Sequence, residues 1–339
     1  MKRKIFLLLI VLYVLFINKA FSNMNYGQTL IYPNYYFVDK DVYYVNTNNF
    51  NLYKNKNPII YNINEAGFIL FNNQIIFVSN KDNCLYSYNI LTKKLKKISQ
   101  NKVLTGYNTF FIFKDYIFYY DSNNKLRKIK NGREFKVLPY ENSIALSLLE
   151  NKRCFKNYIL TWGQNGIKKI NLDNYSIKQL YDGPVYSLDV YNDKIYFINS
   201  LSNISVIDLN GKKLTEISCK AQENVLDFYQ GRLIVDYGYL YFIDYESKKL
   251  IRVNLKNYKK EILEKNVEDF YIKDKRLFYI NSVEGDNIKY IDISKGIAKA
   301  LPKDKYLYFL DLNNNYLCLL VKSKNPQNIY GEIKYIKVD

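Results

Sequence analysis

Four mostly apolar, aromatic-rich residues closed by Asn, Asp or a small residue, then a polar turn, then a second strand-like run: this pattern recurs along the chain from residue 42 onward. It reads Val42-Tyr43-Tyr44-Val45-Asn46, Ile75-Ile76-Phe77-Val78-Ser79 and Ile117-Phe118-Tyr119-Tyr120-Asp121. It continues as Ile195-Tyr196-Phe197-Ile198-Asn199, Leu240-Tyr241-Phe242-Ile243-Asp244 and Leu277-Phe278-Tyr279-Ile280-Asn281. Two degenerate copies, Ile159-Leu160-Thr161-Trp162-Gly163 and Leu317-Cys318-Leu319-Leu320-Val321, complete the set. Successive copies start 33, 42, 42, 36, 45, 37 and 40 residues apart. Repeats of that length, each holding several strands, predict a β-propeller.

Most units divide into four strands. The fifth reads as Val185 to Val190, Lys194 to Asn199, Ile204 to Leu209 and Lys213 to Ile217, with Asn210-Gly211 as a tight hairpin turn. The third reads as Thr109 to Phe113, Tyr116 to Asp121, Leu126 to Lys130 and Phe135 to Leu138. The sixth reads as Val225 to Tyr229 extended to Val235, Tyr239 to Asp244, Leu250 to Leu255 and Tyr258 to Leu263. Consecutive apolar residues in the second strand mean that both its faces are buried. Fourth strands such as Lys213-Leu214-Thr215-Glu216-Ile217 alternate, as a wet outer rim requires. The last unit has Leu317 to Lys322 and Glu332 to Val338 but no fourth strand, and Thr29-Leu30-Ile31-Tyr32 precedes the first unit without a partner. We expect this N-terminal strand to complete the last blade, which closes the ring and removes two exposed edges. The fold class is all-β, a propeller of four-stranded blades over residues 23–339. Eight blades follow if every copy counts, seven if a weak copy drops out.

Residues 1–22 stand apart. Lys2-Arg3-Lys4 is a basic start, Ile5 to Ile17 is apolar throughout, and Ala20-Phe21-Ser22 offers small residues where a signal peptidase cuts. The apolar run is shorter than the roughly 20 residues of a membrane span. It predicts a secretory signal peptide and an exported protein (periplasmic, cell-surface or secreted) with no stable membrane span after cleavage; an uncleaved anchor is the alternative. Removing residues 1–22 lowers the net charge from +18 to +14.

A basic surface attracts polyanions. The lysines, however, are scattered through turns, as in Lys93-Lys94-Leu95-Lys96-Lys97, where they keep strand edges from pairing with other chains. Six Ala against a crowd of Lys, Asn, Ile and Tyr mark a compositional bias, so no specific nucleic-acid partner is expected. The 36 Tyr and 20 Phe favour strands over helices. Cys84, Cys154, Cys219 and Cys318 lie in four different units. They read as free thiols buried in strands, although three disulfide pairings stay open.

Leu240-Tyr241-Phe242-Ile243-Asp244 followed by Leu250-Ile251-Arg252-Val253-Asn254-Leu255 resembles the YWTD repeat of low-density-lipoprotein-receptor-type propellers, in which an Ile-x-Arg strand follows. The chain is similar to the bacterial extracytoplasmic propellers of unknown function related to that group. Here Phe or Tyr replaces the Trp, Asn often replaces the Asp, and those receptor propellers have six blades. The resemblance implies a binding scaffold and carries over no functional residue.

No histidine occurs in the 339 residues. That excludes Ser-His-Asp and Cys-His catalysis and propeller lyases with a His base, and removes the commonest metal ligand. No glycine-rich phosphate loop or dinucleotide fingerprint is present. Quinone-dependent propeller dehydrogenases use Trp-rich blade locks, whereas Trp162 is the single Trp and reads as core. Asp121-Ser122-Asn123-Asn124 lacks the central Gly and distal Glu of a calcium loop and reads as a hairpin turn. No metal and no cofactor are expected.

Two functions remain. One is a non-catalytic scaffold, monomeric, that engages a protein, peptide or glycan on the face made by second-to-third and fourth-to-first strand connections. The other is a carboxylate-dependent glycan hydrolase or lyase. The candidate rim residues are Tyr140, Glu141, Tyr181, Asp182, Glu223, Lys265 and Asp304. Tyrosines and Lys265 supply amphipathic contacts, and the acids are the candidates for paired-carboxylate chemistry.

Overall fold

The computed structural model describes residues 35–338 apart from internal stretches, the longest being 137–150, 222–232 and 322–331. Among the described residues, 31 strands form eight antiparallel meanders in chain order, seven of four strands and the last of three. Each copy of the sequence pattern forms the second strand of one sheet. These strands are Asp41–Asn46, Gln74–Ser79, Tyr116–Tyr120, Tyr158–Gly163, Lys194–Asn199, Tyr239–Asp244, Arg276–Asn281 and Tyr316–Val321. Both degenerate copies take the same place as the regular ones.

The apolar run is continuous because alternate residues serve different interfaces. Ile75 and Phe77 pack back onto Tyr43, Val45 and Leu52 of the first sheet. Ile76 and Val78, on the other face, pack forward onto Phe110, Ile112 and Tyr119 of the third. Phe118 and Tyr120 then meet Ile159 and Ile170 of the fourth, and the alternation repeats up to the seventh sheet, where Phe278 and Ile280 meet Leu317 and Leu319. The core is thus a series of inter-sheet layers, which is the construction of a β-propeller. Each fully buried Phe or Leu contributes on the order of 1.5–3 kcal/mol.

Burial falls from inside to outside. Lys194–Asn199 is buried at five of six positions, whereas the outer strand Leu95–Lys97 is exposed throughout. The expected alternation of outer strands is broken in Lys213–Ile217, where Leu214 is 44% exposed. A bulge opposite Val206 and Ile207 shifts the register and turns that side chain outward.

Backbone stitches join neighbouring sheets. The amides of Ile63, Val103, Ala221 and Val267, all buried, donate to the carbonyls of Phe50, Asn83, Ser202 and Lys248 in the preceding sheet, at 2.6–2.9 Å. All four acceptors sit at φ of 50–59°, in the second-to-third turn. A left-handed residue aims its carbonyl at the incoming chain, so the turn doubles as an inter-sheet clasp.

Strand limits match the sequence reading best where Gly or Asn marks the turn. At Asn210-Gly211 the glycine has φ +89, and an added Cβ would stand 2.7 Å from the Leu180 carbonyl oxygen of the neighbouring sheet. The third sheet's outer strand is Arg133–Lys136, starting two residues early because Asn131-Gly132 closes the hairpin. In the sixth sheet the outer strand starts at Lys260, since Tyr258 lies in the turn at φ +56. Its first strand is Ile234–Asp236, and the expected Val225 to Tyr229 lies outside the described residues, as do Thr29 to Tyr32 and the signal segment.

Candidate functional site

The second-to-third and fourth-to-first connections share one face, and its turns are built to a common plan. In four of the sheets the polar residue at the end of the second strand folds its side chain over the turn that follows. Asn199 Oδ1 accepts the Leu201 and Asn203 amides at 2.9 and 3.1 Å. Asn281 Oδ1 accepts the Val283 amide at 3.1 Å, and its Nδ2 donates to the Lys265 carbonyl. Asp121 Oδ1 accepts the Asn123 and Lys125 amides, both at 2.9 Å, and Ser79 Oγ accepts the Lys81 amide. Short polar side chains satisfy exposed turn amides in this way. Asp121 opens the hairpin turn that the sequence predicts, and the structure adds that it caps that turn.

The residue at the cap position pairs across the strand with the buried apolar residue of the clasp, and in the fifth sheet with buried Val185. The pairs are Ile63 with Ser79, Val103 with Asp121, Val185 with Asn199, Ala221 with Asp244 and Val267 with Asn281. The recurring Asn or Asp is thus architectural. What varies is the side chain two positions on: Lys81, Asn123, Leu201 and Val283, all exposed. Leu201 and Val283 are 71% and 72% exposed, and Tyr61, on a fourth-to-first connection of the same face, is 63% exposed. The sequence reading missed these three, although Asn-Ser-apolar closes two copies of the repeat, at Asn199-Ser200-Leu201 and Asn281-Ser282-Val283.

Of the rim candidates, Tyr140, Glu141, Glu223 and Asp304 lie outside the described residues. Asp182 is exposed in the connection after the fourth sheet. Lys265 is exposed, its amide donating to Glu264 Oε1 at 2.9 Å. Tyr181 ends the outer strand Ser176–Tyr181 with its ring half-buried, 4.6 Å from Phe197. Burial, and then the Glu216 carboxylate, push its phenol above the usual tyrosine range. Asp182 and Lys265 follow different sheets, the fourth and the sixth, and Tyr181 adjoins Asp182.

A charge pair joins two of the inner strands. Arg153 of Asn151–Phe155 pairs with Asp189 of Val185–Tyr191. Asp189 also accepts the Val190 and Val235 amides, each at 2.7 Å. A single carboxylate so joins the first strands of three consecutive sheets and has its lone pairs filled by structure. Cys84 and Cys219 are free thiols, and burial raises that of Cys219. Among the described residues no group of three or more Cys, Asp and Glu side chains is placed to hold a metal, and no helix is long and apolar enough to cross a membrane.

No protein-family model matches the chain, and comparison with curated proteins also yields no match. Solved structures do match. The computationally designed protein Ika8 is similar at a TM-score of 0.55 and 9% identity, over 93% of this chain and 97% of that one. BamB from Moraxella catarrhalis, a β-propeller, is similar at 0.53 and 8% identity, over 90% of this chain and 96% of that one. At such identities the likeness concerns the fold alone, and the fold is a β-propeller.

Proposed function

We propose that this chain is an exported, non-catalytic scaffold of eight blades, closed by its N-terminal strand, that engages a protein or peptide on the face of the capped turns. The observation carrying this reading is the division of labour in those turns. A constant side-chain cap and clasp hold the backbone, while the next exposed position changes from Lys81 to Asn123, Leu201 and Val283. Exposed apolar side chains on pre-ordered turns suit partner recognition, because little freedom is lost on binding. Export rests on the basic, then apolar, segment at residues 1–17. The YWTD-like repeat in the sixth unit agrees with a scaffold.

A photo-reactive amino acid placed at Leu201 or Val283 tests the reading in cells that produce the protein. Discrete cross-linked protein adducts are expected from both positions and not from Leu91, which is 74% exposed on the opposite face. Absence of adducts at Leu201 and Val283, or equal adducts at Leu91, contradicts it. So would steady glycan turnover abolished by Asp182→Asn or Glu223→Gln.

A further inference from the structure

We propose that the opposite face, at the sixth sheet, holds a second site, one for an acidic polysaccharide, with Tyr237 and Tyr258 as stacking platforms. Both tyrosines occupy turns at positive φ, +46 and +56, a region that bulky side chains avoid. Both are exposed, at 53% and 39%.

The fold does not demand them. The turn Asn254 to Lys259 has a sister in Asn89 to Lys94 with the same hydrogen bonds. Tyr258 N donates to Asn254 O at 2.8 Å as Lys93 N does to Asn89 O, and Asn254 N to Lys259 O as Asn89 N does to Lys94 O. Each turn also reaches back to the first hairpin of its sheet, Leu255 N to Gly238 O and Ile90 N to Asn73 O. Where the sister turn has Lys93, also at φ +56, this one has Tyr258. Likewise Tyr237 holds the place that Asn72 and Asn192, at φ of 48° and 46°, hold in other sheets. At both places, on one face of one sheet, an exposed aromatic ring thus stands where other sheets have Lys or Asn. Two exposed aromatic rings that their turns do not require point to a ligand.

Each tyrosine has lysines near it. Lys256 and Lys259 flank Tyr258 and are exposed, and Lys275 Nζ from the next sheet stands 5.4 Å from the centre of the Tyr237 ring. Among the described residues none of the three forms an ion pair. Tyrosine faces accept the C–H face of a sugar ring, and phenol oxygens can hydrogen-bond its hydroxyls. Compact ammonium charges match single carboxylates, whereas phosphate recognition favours the arginine fork, which is lacking at these positions. Lysines without an arginine fork at positions 256, 259 and 275 favour a uronate-type glycan, with a single-stranded nucleic acid as the competing occupant that the test includes. The site stands apart from the capped-turn face and does not depend on its partner.

The test is binding of an oligogalacturonate to the chain without residues 1–22, by calorimetry at two salt concentrations, with its methyl ester and a single-stranded oligo-dT as comparison ligands. Tyr258→Lys reproduces the sister turn, so the fold is kept while a positive charge is added. If the tyrosine is a platform, affinity falls about ten-fold; if net charge alone attracts the glycan, affinity rises and the proposal fails. The triple change Lys256→Gln, Lys259→Gln, Lys275→Gln is expected to weaken binding and flatten its salt dependence. The control triple Lys81→Gln, Lys102→Gln, Lys125→Gln on the other face is expected to leave it unchanged. No binding by the unaltered chain, an equal loss in the control triple, or oligo-dT or methyl ester bound as tightly would each overturn it.

Discussion

Between about pH 10 and pH 12 the protein is expected to lose its fold in one cooperative step. Burial pushes the phenols of Tyr158, Tyr196 and Tyr241 up to about 12, and it raises Tyr119 and Tyr120 as well. In an unfolded chain these groups ionise near pH 10. A phenol whose folded value is raised contributes stability that is fully present below the unfolded value and lost as pH rises toward the folded one. Raising one phenol from about 10 to about 12 corresponds to roughly 3 kcal/mol, so three of them withdraw up to about 8 kcal/mol. That is comparable with the whole stability of a typical domain, about 5–15 kcal/mol. Tyrosinate absorbance and far-ultraviolet circular dichroism, followed together, test this. An early rise near pH 10 should leave the sheet signal intact, and a second rise should coincide with loss of that signal. A single smooth titration near pH 10 with the sheets retained would contradict it.

Replacing Arg127 is expected to be the most damaging single change in the third sheet. Its Nε donates to Asp121 Oδ2 at 2.8 Å, and its other nitrogens reach Asp121 and Glu134 at 2.7 and 3.8 Å. The Asp121 and Glu134 side chains are only 1% and 5% exposed. Glu134 further accepts the Gln100 amide at 2.7 Å and the Asn101 side chain at 2.5 Å, which fastens the connection arriving from the second sheet. Arg127→Met leaves two buried carboxylates without their counter-charge. Removing one partner of such a pair costs about 3–5 kcal/mol, a fall in melting temperature on the order of 10 °C. Adding Asp121→Asn and Glu134→Gln should recover part of the loss, because neutral amides need no counter-charge. A stability for Arg127→Met within about 0.5 kcal/mol of the unaltered protein would mean that the network is solvated.

The fold was legible because its central physical demand, a strand buried on both faces, leaves a mark in sequence that polar turns cannot blur. Even Leu160, in a degenerate copy, is fully buried and takes its place. Strand ends were less legible. Tyr258 reads as a strand residue by propensity, yet the backbone hydrogen bonds of its turn hold it in the left-handed region. The capping role of Asn199 and Asn281 was also hidden, since it depends on where the next two amides point. That same concealment made Leu201 and Val283 look like ordinary apolar residues near strand ends. Tyr181 illustrates the reverse difficulty: its position beside a connection says nothing of the Phe197 ring that covers it.

The claim on which the rest depends is that the eight sheets close into one ring. A crystal structure of residues 23–339 tests it most directly. Eight blades are expected, with Thr29 to Tyr32 hydrogen-bonded along Glu332–Lys337 as the outermost strand of the last sheet. A ring of seven, or Thr29 to Tyr32 without a strand partner, would contradict it.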